Sequence, residues 1–200
     1  MLTLHRAASF TSRVGQLSSN VRPRKLHMLH LQATKKALHR LGLSREKLAA
    51  PGKTDSALGN WFVNVVPLGG REAFLFMSTR SLLSFPILIG QKIPEPADMS
   101  AFLEHGLTSL TKAMKTPRSQ ASLLLQDLDT VALCASTDKS FVGVYSAIAG
   151  EYFQRVEHEG GLAKANLDAV IMAANTTPRA PLEWRTSYDV SAELLAASVA

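Results

Sequence analysis

Residues 60–89 read NWFVNVVPLGGREAFLFMSTRSLLSFPILI, and this stretch decides the fold. The run NWFVNVVPL (60–68) is dense in β-branched and aromatic residues and stops at the Gly69-Gly70 pair. EAFLFMST (72–79) resumes the same character, so the two runs predict strands joined by a tight hairpin turn. SLLSFPILI (81–89) predicts a third strand. Pro86 has no N–H to give to a ladder, which places that strand at a sheet edge or a bulge. Trp61 and Asn64 are three residues apart and so fall on opposite faces of their strand. Trp61 reads as a core anchor and Asn64 as a hairpin partner.

Toward the N-terminus, HMLHLQ (27–32) alternates like a short strand. In ATKKALHRLGL (33–43), Thr34 is a capping residue, Ala37, Leu38 and Leu41 share a helical face, and Gly42 stands at the helix stop. SREKL (44–48) adds a turn, and 49–59 reads as loop. Toward the C-terminus, residues 94–116 predict a helix capped by Asp98 or Ser100. Phe102, Leu103, Leu107, Leu110 and Met114 form its apolar face, with Pro117 beyond its end. Residues 119–128 suit a shorter helix or a turn. DTVALCAST (129–137) has the apolar run of a buried strand. Residues 138–156 place Phe141, Val144, Tyr145, Ile148 and Tyr152 at helical spacing, and Gly160-Gly161 closes that region. A further helix spans 162–177, with Leu162, Leu167, Val170 and Ile171 inward. From Pro178 the chain reads as a tail with one terminal helical turn at most.

Strands and helices partly segregate in this order. The expected class is α+β, with a mixed or antiparallel sheet of about five strands packed against three to four helices. The expected organisation is one domain over 28–177, a disordered basic extension over 1–27 and a C-terminal tail over 178–200.

Charge is unevenly distributed. Ten of the 22 Lys/Arg residues and one of the 16 acids fall within residues 1–47, so this quarter carries +9 and the rest −3. The extension holds Arg6, Arg13, Arg22, Arg24 and Lys25 and no acid. Three readings of it stand: a phosphate-gripping arm, a targeting segment, or an extension outside the working protein. The longest apolar stretch, SLLSFPILIG, falls short of the roughly 18 residues that span a bilayer, so no membrane segment is expected. The single cysteine, Cys134, excludes an internal disulfide and a cysteine-based zinc site, and suits a reducing compartment such as the cytoplasm.

Three blocks of the chain resemble a bacterial family of small domains without an assigned activity. They are MLHLQATKKALHRLGL (28–43), ALGNWFVNVVPLGGREAFLFMSTRSLLSFPILI (57–89) and ASTDKSFVGVYSAIAGEYF (135–153). The resemblance rests on Thr34, Lys35 and Lys36, on Trp61 and Asn64, and on Thr137, Lys139, Ser140 and Gly143. It covers roughly residues 28–156. After Gly143 this chain continues VYSAIA, where the family favours small, amide or acidic residues. The resemblance implies that the domain opens at the strand near Met28 and leaves residues 1–27 outside.

Two places are candidates for binding. Lys35, Lys36, His39 and Arg40 form one polar helix face, which reads either as a phosphate-binding patch or as a solvated surface. The turn STDKS (136–140) joins a buried strand to a helix. Its Thr137, Lys139 and Ser140 suit an anion, although capping by Thr137 or Asp138 explains the same residues. None of the six histidines falls in a metal-ligand pattern, no G-x-S-x-G elbow is present, and Cys134 sits in an apolar strand where a thiol is inert. No cofactor is expected. The leading expectation is a non-enzymatic binding or regulatory module, an accessory working with another protein. The alternatives are a weak nucleic-acid binder using residues 1–47 and an enzyme acting on a small or phosphorylated substrate near 136–140.

Overall fold

The computed structural model describes residues 28–199, apart from 49, 51, 93, 127, 129, 130 and 137–140. The expected hairpin is its spine. Strands β2 (Trp61–Leu68) and β3 (Arg71–Ser78) pair antiparallel along their whole length, from Trp61↔Ser78 to Leu68↔Arg71. Gly69 (φ 51) and Gly70 (φ 79) both take left-handed conformations, as a two-residue turn between right-twisted strands requires. Strand β4 (Ser84–Leu88) adds antiparallel to β3 and forms one edge, where Pro86 was expected.

Strand β1 (Leu29–Ala33) lies on the other side of β2 and runs parallel to it, with Leu31↔Trp61 and Ala33↔Val63. Strand β5 (Val131–Ala135) runs parallel to β1, from Leu29↔Val131 to Ala33↔Ala135. The order is β4-β3-β2-β1-β5, so the sheet is five-stranded and mixed, and the class is α+β.

Alternation along the strands sends side chains to two apolar layers. One face gathers Leu29, Leu31, Trp61, Val63, Phe74, Phe76 and Phe85. It is covered by α1 (Lys35–Arg40), α2 (Asp98–Ala113), α3 (Arg118–Gln126) and α6 (Ser187–Ala197). The other face gathers Phe62, Val66, Leu75 and Met77 under α4 (Phe141–His158) and α5 (Leu167–Asn175). These six helices comprise the four expected, the shorter one foreseen near 119–128, and α6.

Two local expectations need correction. Neither Asp98 nor Ser100 caps α2. The N-cap is Ala97, without a side-chain bond, because the Asp98 carboxylate accepts from the Glu95 N–H (2.7 Å) in the turn leading in. The Ser100 hydroxyl donates to the Ala97 carbonyl (3.1 Å).

The segment from Pro178 is also folded. Strands β6 (Pro178–Arg179) and β7 (Arg185–Thr186) form a ribbon, and α6 follows, capped by Thr186 Oγ1 accepting from the Asp189 N–H (3.0 Å). Tyr188 ties α6 down by donating to the Met114 carbonyl (2.9 Å). This helix escaped the periodicity reading because serines occupy its inner face. Ser187 and Ser191 are buried, and the Ser191 hydroxyl donates to the Ser187 carbonyl (2.7 Å). The basic extension over 1–27 lies outside the described residues.

Candidate functional site

Strands β1 and β5 are parallel neighbours, but the helices that follow them go to opposite faces of the sheet. Chain from β1 enters α1 on one side, and chain from β5 continues to α4 on the other. Where adjacent parallel strands diverge in this way, a crevice opens at their carboxyl ends. A pocket of about 500 Å³ occupies that position. Ala33, Ala135 and Ser136 line it from the strand ends, Lys35, Leu38 and His39 from α1, and Leu43, Ser44, Arg45 and Glu46 from the segment after α1.

The local sequence makes this corner rigid. The Thr34 hydroxyl donates to Asn64 Oδ1 (2.6 Å) while its oxygen accepts from the Ala37 N–H (3.2 Å), which caps α1 as expected. The Thr34 N–H reaches the Val63 carbonyl (3.0 Å), so the β1–α1 junction is pinned to β2. Asn64 is therefore more than a hairpin partner. The Ser136 N–H donates to the Ala33 carbonyl (2.9 Å), a last rung that joins the ends of β1 and β5. Gly42 (φ 65) turns the chain out of α1, and the Leu43 N–H returns to the Leu38 carbonyl (2.9 Å). That turn brings Ser44, Arg45 and Glu46 back over the crevice.

The basic face of α1 divides in two. Lys35 and His39, one helical turn apart, both line the pocket. Lys36 and Arg40 turn instead to Glu72 on β3, at 3.9 Å and 3.1 Å. Lys35 and Lys36, adjacent in sequence, thus serve different neighbours. The Ser44 hydroxyl donates to the Glu46 carboxylate, and this bond, with a backbone N–H and the Arg45 charge, holds the Glu46 carboxyl below its ordinary value. The other charged groups of the lining are Lys35 and Arg45, which carry positive charge, beside His39. Thr137, Lys139 and Ser140 lie outside the described residues; in the chain they follow Ser136, which is part of the lining.

From sequence, Ser44, Arg45 and Glu46 read as a plain turn and Leu43 as the end of the helical block before it. Nothing local distinguishes them, because the pocket wall they form depends on β5 standing beside β1. Cys134, on the strand that supplies the floor, is fully buried and its thiol donates to the Leu31 carbonyl (3.6 Å). Burial pushes that thiol up to about 11, which leaves it protonated and unreactive. Among the described residues no three His, Cys, Asp or Glu side chains gather as metal ligands, and no helix is long and apolar enough to cross a membrane.

A family model described as a domain of unknown function (DUF6933) matches residues 30–190. The chain belongs to the DUF6933 family. The DUF6933 match runs from His30 in β1 to Val190 in α6. It therefore takes in the five-stranded sheet from its second residue on, α1 to α5, the pocket, the β6–β7 ribbon and the first turn of α6. No match was found among the curated proteins.

Proposed function

We propose that this DUF6933 domain is a non-catalytic binding module that takes a small anionic ligand, bearing phosphate or carboxylate, in the crevice at the carboxyl ends of β1 and β5. One observation carries this reading. The pocket sits where two parallel strands send their helices apart, and Lys35, Arg45 and His39 stand along its lining. Cations on a concave, partly apolar surface favour a compact anion over a flat polyanion. The chemistry of the described lining supports binding over catalysis. The Ser44 hydroxyl donates to Glu46, and a carboxyl held below its ordinary value is a weak base. We place the module in the cytoplasm of a bacterial cell, where a lone buried thiol stays reduced, and infer that its bound state is read by a partner protein.

Thermal shift and titration calorimetry at low salt test this, with inorganic phosphate, pyrophosphate and a nucleoside monophosphate as probes. At least one probe gives a saturable rise in melting temperature. Lys35→Gln and Arg45→Gln each weaken it about tenfold or more, as loss of a charge-assisted hydrogen bond does. If no probe raises the melting temperature, or if both variants bind as the parent does, the reading falls. A nucleic-acid grip through residues 1–47 loses Lys36 and Arg40 to Glu72. It is tested with a single-stranded oligonucleotide in the same cell, where binding must weaken steeply with salt.

A further inference from the structure

The β6–β7 ribbon carries an unusual tip. The Glu183 N–H donates to the Ala180 carbonyl (3.0 Å) and the Trp184 N–H to the Arg179 carbonyl (2.9 Å). Glu183 (φ 56) and Trp184 (φ 63) both lie in the left-handed region. Two successive non-glycine residues there are strained, and one of them is bulky. The base of the ribbon restrains them. The Arg179 guanidinium donates to Glu151 Oε2 (2.9 Å) and to the Ala174 carbonyl (2.6 Å). What this held strain presents to solvent is the Trp184 indole, 74% exposed and the most exposed large hydrophobic side chain among the described residues.

Two residues before Trp184, the same ribbon walls a pocket of about 230 Å³. Pro181 and Leu182 face Leu82, Phe141 and Val144 across it, with Arg80 in the lining. Knob and hole therefore belong to one surface. A two-fold axis beside the ribbon makes such a surface its own complement, because each copy's knob meets the other's hole. Charge agrees with this. Arg80 and Glu183 are exposed, and neither side chain has an ion-pair partner among the described residues. The exchange carries Glu183 of one copy toward Arg80 of the other, and sets that guanidinium near the incoming indole.

We propose that the chain forms an isologous dimer by reciprocal insertion of Trp184 into the pocket beside Leu182 of a second copy. Tryptophan, with tyrosine and arginine, is enriched among the residues that dominate such contacts.

The test uses the full chain, which has two tryptophans, Trp61 and Trp184. Trp61 is fully buried, so any concentration-dependent change in emission reports Trp184. Sedimentation equilibrium gives a dimer at high concentration, and tryptophan emission shifts to the red on dilution as Trp184 returns to water. Trp184→Ala raises the dissociation constant at least about tenfold with an unchanged far-ultraviolet circular dichroism spectrum. Glu183→Arg weakens the dimer, and combining it with Arg80→Glu restores it. A chain that stays monomeric overturns the proposal, as does a dimer that survives Trp184→Ala unchanged. So does a monomer whose Trp184 emission turns blue only when vesicles or another protein are added, since the hairpin then serves a different surface.

Discussion

Asn175→Ala tests whether one side chain substitutes for a sixth strand. At the β4 edge, the Ser84 N–H donates to Asn175 Oδ1 (2.9 Å), and Asn175 Nδ2 donates back to the Ser84 carbonyl (2.7 Å). A side-chain amide offers the same donor and acceptor as a peptide group, so Asn175 closes the edge as a paired strand would. Both residues are buried. The alanine variant leaves the Ser84 N–H without its acceptor, at about 1–3 kcal/mol. The Ser84 carbonyl keeps the bond from the Tyr152 hydroxyl (2.8 Å), which burial holds protonated, so the loss there is smaller, about 1 kcal/mol. The space left by the amide adds roughly 1 kcal/mol.

The expected sum is about 3–5 kcal/mol, a large share of a typical domain's stability. For a chain of this length that lowers the melting temperature by roughly 6–20 °C. Urea unfolding gives the free energy, and an unchanged slope confirms that the folded state is otherwise intact. Asn175→Asp is the discriminating comparison. Its carboxylate still accepts from the Ser84 N–H but sets a second oxygen against the Ser84 carbonyl. It is therefore at least as damaging at neutral pH, and improves relative to the parent on acidification, when a protonated carboxyl donates. A loss below about 0.5 kcal/mol for alanine, or an aspartate tolerated at neutral pH, refutes the edge-closing role.

Two further substitutions and the two binding experiments above complete the set. Glu151 accepts from Arg155 (2.7 Å), Thr177 (2.8 Å) and Arg179 (2.9 Å), joining α4 to α5 and the ribbon. Burial works to raise its carboxyl, but the bonds from Arg155 and Thr177 and the Arg179 charge prevail and hold it below the ordinary value of 4.5. A lowered folded value contributes stability that is present above the ordinary value and lost as pH falls through the folded one. Glu151→Gln costs about 1–3 kcal/mol at neutral pH, and the gap between variant and parent closes in acid; a gap independent of pH in urea melts denies the charge its part.

Gly106→Ala is expected to destabilise, against the roughly 1 kcal/mol by which helix propensity favours alanine. A Cβ there falls 1.9 Å from the Phe85 ring, which is stacked on Phe76 (centroids 5.2 Å apart) and tilted against Trp61 (5.7 Å). The overpacking costs about 1–3 kcal/mol, and a melting temperature at or above that of the parent contradicts it.

The parts of the fold that local sequence encodes are those governed by short-range geometry. The glycine pair at 69–70 admits only a tight turn, Pro86 cannot sit inside a sheet, and Thr34 with Gly42 brackets α1. The parts it conceals are polar residues on buried surfaces. Ser187 and Ser191 interrupt the apolar face of α6, so the helix reads as tail. Asn175 ends α5 and looks like a solvated helix terminus, yet its amide is the edge closure for a strand 91 residues away. The α2 cap fails for a related reason. Asp98 is a good capping residue, but the turn through Glu95 takes its carboxylate first.

The candidate site adds a different obstacle, since its decisive contact is a pairing of parallel strands. Leu31 and Leu133 are register partners, yet neither strand shows in its own residues that the other will lie beside it. Without that pairing, α1 is a helix with four basic side chains on a polar face, and residues 44–46 are a turn. With it, the end of β5 supplies a floor and residues 44–46 become a wall. Glu72, on a strand that α1 does not follow in sequence, then sorts the four. It draws off Lys36 and Arg40, and Lys35 and His39 remain with the pocket. Charge count alone places the excess positive charge in residues 1–47 and does not say how the basic face of α1 is divided. Lys35 and His39 then share a concave lining with Arg45 and the small residues Ala33, Ala135 and Ser136, and it is this placement on which the proposed binding of a small anion rests.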